Sequence, residues 1–468
     1  MADKDNKLIL QNVKVEGVEY VQILNVEINH AADEYAHAAL TLAVEEKKAE
    51  KFLKQANADK IKISIDKKII FQGYISNLTL EQQDTDFLTL RIDLLDAAWL
   101  LDWKVENCSF QNLKSKYEEI FKTVKDATIQ LKVTDKAIEK PVLRLNETSW
   151  QFVKRMASHF SAMIFTDMTA EKPLLTIGLP ESKKTVEIAT TQVTYYFDDE
   201  RFQFLNSNAD KIAKGVKIVA EDFQSVQIRG FFEILSIGDT VKLNKKEYRV
   251  KSLYFTFVDS VLQTRYVLVG KSAFVVPIEI QKNLAGKIFR AQVKKVEKDK
   301  IQAHLIDIDK SFDSNSTAMY PFATPYSSTD GSGWYVMPEV DDYVRISFPE
   351  EDTSKAFALS SINTAPLKEP KNKSLKAPGG REILLTDKGV EIIAEHQKTF
   401  ILLNKDKGIN IVSAKDINIS ADGNISFDAK GKVQIVSQKE IAVQSGQSHM
   451  KILANQIDMG GSNIIVGE

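Results

Sequence analysis

The sequence predicts a mainly β chain: small antiparallel barrels, a short helical insertion between two of them, and a C-terminal β-helix that three copies build together. Three observations carry this. Apolar residues alternate with polar ones over residues 8–105 and again over 166–363. Between these stretches the spacing becomes helical. From residue 409 onward the chain counts in eights.

The first stretch reads as a meander. Ile61, Ile63 and Ile65 alternate with Lys62 and Ser64, and Asp66, Lys67 and Lys68 turn the chain. Ile69 to Leu80 is the return strand, Gln82 to Asp86 turns again, and Phe87 to Leu95 follows. Residues 110–165 change character. Leu113 to Val124 has the spacing of a short helix, with Tyr117, Ile120 and Phe121 on one side. In a second helix Asn146 is the expected cap, with Glu147 at the positive end. Phe152, Val153, Met156 and Phe160 share a face expected to be core.

Strands return over 166–275, with a partial echo of the first stretch. Asp59 to Ile63 is matched by Asp239 to Leu243, and the turn at Asp66 by Asn244, Lys245 and Lys246. Duplication of one barrel explains this; chance likeness of two hairpins also would. Gly286 to Val296, Lys300 to Ile308, Tyr343 to Phe348 and Ala356 to Ile362 fit a five-stranded barrel. Pro366, Pro370, Pro378, Gly379 and Gly380 then mark a linker. The expected division is 1–109 first barrel, 110–165 helical insertion, 166–279 second barrel, 280–363 third barrel, 364–380 neck and 381–468 trimeric β-helix.

In the octads, Ile409, Ile417, Ile425, Val433 and Ile441 form one series. Ile411, Ile419, Phe427, Ile435 and Val443 form the second, with small residues two places on and turns such as Asp422-Gly423-Asn424 between. Each unit is one strand and one corner, too short for one chain to enclose a core. Alone, the chain would leave its apolar row in water and its strand edges bare. Three copies about an axis put the row inside and close the edges. These ten residues are the expected trimer core. A one-chain solenoid or an adhesin stalk is the competing architecture.

Composition narrows the function. Lys plus Arg is 62 and Asp plus Glu is 64, giving a net charge of −2, with no polybasic nucleic-acid footprint. The single cysteine, Cys108, excludes an intrachain disulfide framework. The first residues are polar, and no run of about 18 apolar residues occurs. The expectation is cytoplasmic synthesis without a signal peptide. No P-loop, GxSxG, HExxH or CxxC motif is present, so no catalytic residue and no cofactor is expected. Asp93, Asp96 and Asp102 are read as solvated loop acids, and His159 as structural or surface-lying. His449 falls eight residues after Ile441. Three copies of it could hold a metal or anion; equally, the register could break there and leave it facing water. Ile464, Ile465 and Val466 lie beside Gly460 and Gly461 and suggest a cap or a docking face for a tip protein.

The order of parts resembles the VgrG and phage baseplate hub-and-spike proteins (contractile-injection spikes, phage late control D-like). Four stretches carry the likeness: Phe71-Gln72-Gly73-Tyr74-Ile75; Asn146 to Ala157; Gly331-Ser332-Gly333-Trp334 with Pro338 to Asp342 and Phe348 to Asp352; and the octads. The resemblance implies two hub barrels, an oligonucleotide/oligosaccharide-binding (OB) barrel used as a collar, and a needle. It further implies a homotrimer whose hub barrels make a pseudo-sixfold ring on an inner tube protein. The other implied partners are baseplate components, a PAAR-like tip protein and cargo effectors, with a target membrane pierced on contraction. The particle could be a phage tail, a bacteriocin-like particle or a cell-bound secretion system. The competing functions are a cell-wall or polysaccharide hydrolase on a β-helical scaffold, and a trimeric tail adhesin.

Overall fold

The computed structural model describes residues 8–55, 60–82, 88–188, 193–230, 233–363, 365 and 369–465. The chain divides into two units, Met1–Thr364 and Ala365–Glu468.

The first unit opens with β1 (Val13–Glu16), β2 (Gln22–Ala31), β3 (His37–Val44), α1 (Glu46–Gln55), β4 (Lys60–Ile65), β5 (Lys68–Gln82) and β6 (Leu88–Asp96). Alternation decides which face is buried: β3 buries Ala38, Leu40, Leu42 and Val44, and β6 buries Leu88, Leu90, Ile92 and Leu94. Asp66 and Lys67 both take positive φ, 46° and 68°, which makes the β4–β5 turn a two-residue type I′ hairpin. Phe87 and the expected turn before it, 83–86, lie outside the described residues.

An insertion follows: β7 (Val105–Phe110), α2 (Tyr117–Phe121), β8 (Thr128–Leu131), β9 (Val142–Thr148), α3 (Ser149–Ser158), β10 (Ile164–Thr166) and β11 (Leu174–Ile177). Helix α2 is one turn and a half rather than the full span 113–124, although Tyr117, Ile120 and Phe121 are buried as expected. The cap of α3 is Thr148, not Asn146. Thr148 Oγ1 accepts from the Gln151 amide while the Gln151 side chain reaches back to the Thr148 amide. Asn146 instead sits in β9 with φ 49°. Glu147 is turned toward Arg155, whose Nε lies 2.7 Å from Oε1, both largely enclosed. Phe152, Val153, Met156 and Phe160 are buried as expected.

A second set of strands comes next: β12 (Thr185–Ile188), β13 (Val193–Phe197), α4 (Asp199–Ser207), β14 (Gln224–Arg229), β15 (Thr240–Leu243), β16 (Lys246–Val258) and β17 (Val261–Val269). Asn244 and Lys245 repeat the positive-φ pair of the first set, at 51° and 66°. The sequence expects two barrels. The structure joins them in one sheet of twelve described strands, in the order β1-β4-β5-β6-β3-β2-β16-β17-β14-β13, with β15 alongside β16 and β12 alongside β15. The joint is β2 against β16, pairing Ile28 with Phe255 and Ala31 with Ser252. One apolar core runs through both sets.

The third barrel has β18 (Lys287–Glu297), β19 (Lys300–His304), β20 (Tyr320–Pro321), β21 (Tyr343–Phe348) and β22 (Phe357–Ile362), in the sheet order β20-β19-β18-β21-β22. A bridge from Phe322 to Ala358 joins the ends. Its core takes in Leu143 and Leu145 from β9, so the insertion and this barrel share one packed interior.

The second unit has β23 (Lys373–Lys376), β24 (Glu382–Thr386), β25 (Gly389–Glu395), β26 (Thr399–Asn404) and β27 (Gly408–Val412) as one meander, and β28 (Glu440–Ser445), β29 (Ser448–Leu453) and β30 (Ile457–Gly460) as another. The neck is therefore not linker throughout. Gly379 and Gly380, at φ 84° and 83°, fold β23 back onto β24. Pro366 lies outside the described residues.

Asp96 is buried rather than solvated. It caps the turn after β6 by accepting from Ala98 N, and also accepts from Ala36 N and Thr166 Oγ1. Burial nonetheless pushes its carboxyl up to about 6. His30 Nε2 lies 2.9 Å from Thr166 Oγ1. Since that hydroxyl gives its proton to Asp96, His30 is the donor. Burial depresses His30 to about 3. Asp102 accepts from the Thr148 hydroxyl.

Thr148→Ala should destabilise the first unit by about 1–2 kcal/mol in urea denaturation, through loss of the cap. A second prediction concerns acid. The unfolded chain protonates His30 near its ordinary value of 6.5, and the folded chain refuses the proton until about 3. Stability from neutral burial is thus complete above pH 6.5 and lost as pH falls toward 3. Asp96 opposes this. Its burial as a carboxylate costs stability above about pH 6, and that cost fades on acidification. His30→Gln removes only the first effect. The stability advantage of wild type over this variant should shrink between about pH 7.5 and about pH 5, by at most about 1.4 kcal/mol per unit.

Candidate functional site

Most of the chemistry-bearing groups around two clefts of the first unit are engaged structurally. A cleft of 460 Å³ is lined by Tyr117, Arg155 and His159 among others. His159 Nδ1 is 2.6 Å from the Tyr117 hydroxyl. Burial, then the Arg155 charge, lowers it to about 4. A second cleft, of 310 Å³, is lined by His30, Asp167 and Asp239. Asp167 is held by Thr169 and Lys183, and Asp239 accepts from the amides of Lys183 and Lys184. The His30–Thr166–Asp96 array runs opposite to a base–nucleophile pair, because the hydroxyl proton is committed to the carboxylate. Cys108 is half-buried, and burial pushes its thiol up to about 11, so little thiolate forms at neutral pH.

The surface with the clearest physical demand is in the second unit. Cross-strand register stacks apolar residues on one face of the first meander. Leu375 pairs with Ile383, Ile383 with Ile392, Ile392 with Ile401, and Ile401 with Ile411. Beside them Leu385 pairs with Val390, Val390 with Leu403, and Leu403 with Ile409. Gly389 permits this approach, since a Cβ there would overlap the Leu403 carbonyl. Among the described residues the ladder has no second layer over it. Among the described residues beyond Ala358, Ile393 at 6% exposure is the one apolar side chain that is fully buried.

The octad residues fall into two groups. Ile409 and Ile411 lie on β27 and extend the first ladder. Ile441 and Val443 lie on β28, where Ile441 pairs with Ile452 and Val443 with Met450. Ile417, Ile419, Ile425, Phe427, Val433 and Ile435 lie between, in a stretch with no ladder pairing among the described residues. One chain leaves them open, Phe427 at 76% and Ile435 at 71%. Ile401 and Leu403, eight residues before Ile409 and Ile411, lie on β26, an antiparallel hairpin strand. Sequence reading passed over Leu375, Ile383, Leu385 and Ile392. Their signal was present as apolar pairs two residues apart, but the pairs at 383/385 and 390/392 fall out of step with 401/403 and escape a count of eight.

His449 pairs with Gln444 on one side and Gly460 on the other. Strand alternation therefore puts it on the face opposite Val443 and Met450. Its Nε2 is 3.7 Å from Asp458 Oδ2, and among the described residues no third ligand is arranged with them. Ile464 and Ile465 are exposed, Ile465 at 91%. Val466 lies outside the described residues. No described helix is long and apolar enough to cross a membrane.

No family model matches the chain, and no curated protein does. Solved structures do. An Escherichia coli protein, c3393, described as a type VI secretion component similar to the T4 tail proteins gp27 and gp5, superposes with a TM-score of 0.54 at 12% identity. That match covers 75% of this chain and 99% of the other. A chain of a Francisella PdpA–VgrG complex, in its lidded form, superposes with a TM-score of 0.52 at 11% identity, over 85% of this chain and 79% of that one. The lidless form of a PdpA–VgrG complex gives 0.51 at 11%, over 84% and 94%. The chain thus has the mainly β fold of VgrG-like and gp27–gp5-like tail proteins.

Proposed function

We propose that the chain is the homotrimeric hub and membrane-piercing spike of a contractile, phage-tail-like injection system, and not an enzyme. The observation that carries the reading is the second unit: a long apolar ladder and a row of octads with almost nothing buried in one chain. Each such side chain enclosed by neighbouring copies would contribute about 1.5–3 kcal/mol, and exposed patches of this extent mark an interface. Ile409, Ile411, Ile417, Ile419, Ile425, Phe427, Val433, Ile435, Ile441 and Val443 are the proposed trimer core. A rod so closed would be stiff, as piercing requires. The six-part division given above is the proposed domain plan, with the third barrel a collar that binds no nucleic acid. An inner tube protein and baseplate components are the proposed partners of the hub. Ile464, Ile465 and Val466 are the proposed seat of a PAAR-like tip protein, and cargo effectors would travel with the assembly. The spike would act outside the cell that makes it.

Light scattering tests the reading. The full chain should weigh three times its 52.7 kDa, and a chain ending at Gly380 should form a trimer that dissociates at lower denaturant. A monomer at all concentrations would refute the proposal and favour a one-chain solenoid. Ile435→Asp would bring three carboxylates into the trimer core. It should lower the melting temperature of the second unit by many degrees and leave the transition of the first unit in place, as read by calorimetry.

A further inference from the structure

The larger of the two clefts described above contains hydrogen-bonding capacity that the protein does not engage. It opens where three parts of the first unit meet: the insertion at 136–143, the connector around Ile278 and Ile280, and the third-barrel turn around Thr353. Its volume of 460 Å³ falls within the range of small-ligand sites, roughly 300–1,000 Å³.

Arg155 lines the cleft and is 6% exposed. A guanidinium carries five N–H groups. Nε and Nη2 commit three of them, to both oxygens of Glu147 and to the Leu143 carbonyl. Glu147 grips the Nε–Nη2 edge, which leaves Nη1 at the opposite corner. Among the described residues nothing accepts from Nη1. Polar groups this well enclosed are ordinarily matched. His159 is fully engaged: it donates to the Glu279 carbonyl, so its Nδ1 accepts from the Tyr117 hydroxyl.

The charges that bear most on His159 are those of Arg155, Lys136 and Lys140, all cationic. Lys136 Nζ donates to the His159 carbonyl at 2.9 Å and has further N–H groups to give. Lys140 is paired with Asp352. The acidic lining residues are Glu139, which is exposed, and Glu351, which is half-buried. Apolar lining completes the cleft: Ile138 and Val142 are buried, Ile278 is half-buried, and Ile280 is left 52% exposed.

We infer that this cleft binds a carboxylate carried on an apolar body, either a free organic acid or the C-terminus of a peptide with an apolar last residue. The carboxylate would accept from Arg155 Nη1 and from Lys136, in charge-assisted bonds stronger than neutral ones. The apolar body would cover Ile138, Val142, Ile278 and Ile280. A cationic ligand would meet three like charges here. A purely apolar ligand would seal the Nη1 donors from water without an acceptor, which is costly. All of these residues belong to one chain, so the inference does not depend on the trimeric reading.

Isothermal titration calorimetry on the full chain tests it. The probes are hexanoate, hexanamide, N-acetyl-glycyl-leucine and the C-terminal amide of that dipeptide. At least one acid should bind at millimolar concentration or below, about tenfold or more tighter than its own amide. Hexanoate binding at least as tightly as the dipeptide acid assigns the site to free acids, and the reverse order assigns it to chain termini. Lys136→Glu and Ile280→Glu should each weaken the acid about tenfold or more, whereas Lys245→Glu, outside the cleft, should leave binding unchanged. Lys136 and Ile280 are exposed, so both variants should fold, as an unshifted melting transition of the first unit would verify. Arg155→Lys keeps the charge and loses the planar fork. If it melts like wild type, it should also bind the acid about tenfold or more weakly. No binding of either acid, equal binding of acid and amide, or acid binding untouched by Lys136→Glu and Ile280→Glu would overturn the inference.

Discussion

The constraint on which this molecule depends is that a β-strand has two edges and two faces, and each must be covered by something. Water covers polar faces and a few edges well. It covers an apolar face poorly, at roughly 25 cal/mol per Å². The first unit meets the constraint largely within the chain, by pairing one strand set with another and running a single core through both. The second unit does not: its meanders are single layers whose apolar ladders, among the described residues, have no second layer above them. The same chain therefore holds a part whose apolar faces are largely covered within the chain and a part whose apolar faces stand open among the described residues.

Within the first unit, buried polar groups fix the packing where apolar contacts alone would allow sliding. Asp96 gathers two amides and a hydroxyl at the end of β6 and ties the insertion to the sheet through Thr166. Arg155 joins Glu147 and the Leu143 carbonyl, locking α3 to β9. Because β9 also lends Leu143 and Leu145 to the third barrel, that ion pair holds the connection between two cores. Enclosed charges of this kind add little net stability when paired, but removing one partner is costly. Their effect is to specify one arrangement.

Much of this was legible in the sequence, and the reasons are local. Alternation gave the strands, because a pleated strand has one buried face. Helical spacing gave Phe152, Val153, Met156 and Phe160 as core. The echo of Asp239 to Lys246 on Asp59 to Lys68 pointed to two matching hairpins, and positive φ at Asp66–Lys67 and Asn244–Lys245 explains why the turns look alike. What escaped was set by tertiary context. Asn146 is a good capping residue, but Thr148 has the reciprocal partner Gln151 three places on, so the helix starts there. Asp96 reads as a loop acid until Ala36, from a distant turn, donates to it. The neck reads as linker from its prolines, yet two glycines with positive φ return a strand onto β24.

The candidate surface was legible for a different reason, and only in part. The octads stand out because identical spacing repeats, and repeats survive reading without any fold. The ladder before them is equally apolar but unevenly spaced, so only the register of β24, β25 and β26 reveals that its residues share a face. The β13 edge was invisible to any periodicity. Tyr195, Tyr196 and Phe197 form a short aromatic run that would suit a core strand, and each is about half exposed. Their meaning comes from symmetry: the equivalent strand β2 is paired on both edges, and among the described residues its counterpart has no ladder partner on its outer edge. A duplicated fold thus carries its own control. Wherever one copy is satisfied inside the chain and the other is not, the difference marks an edge that the duplication alone leaves open. In this molecule the same logic, a β surface left uncovered, applies to the β13 edge and to the octad row, although the two arise from unrelated sequence patterns.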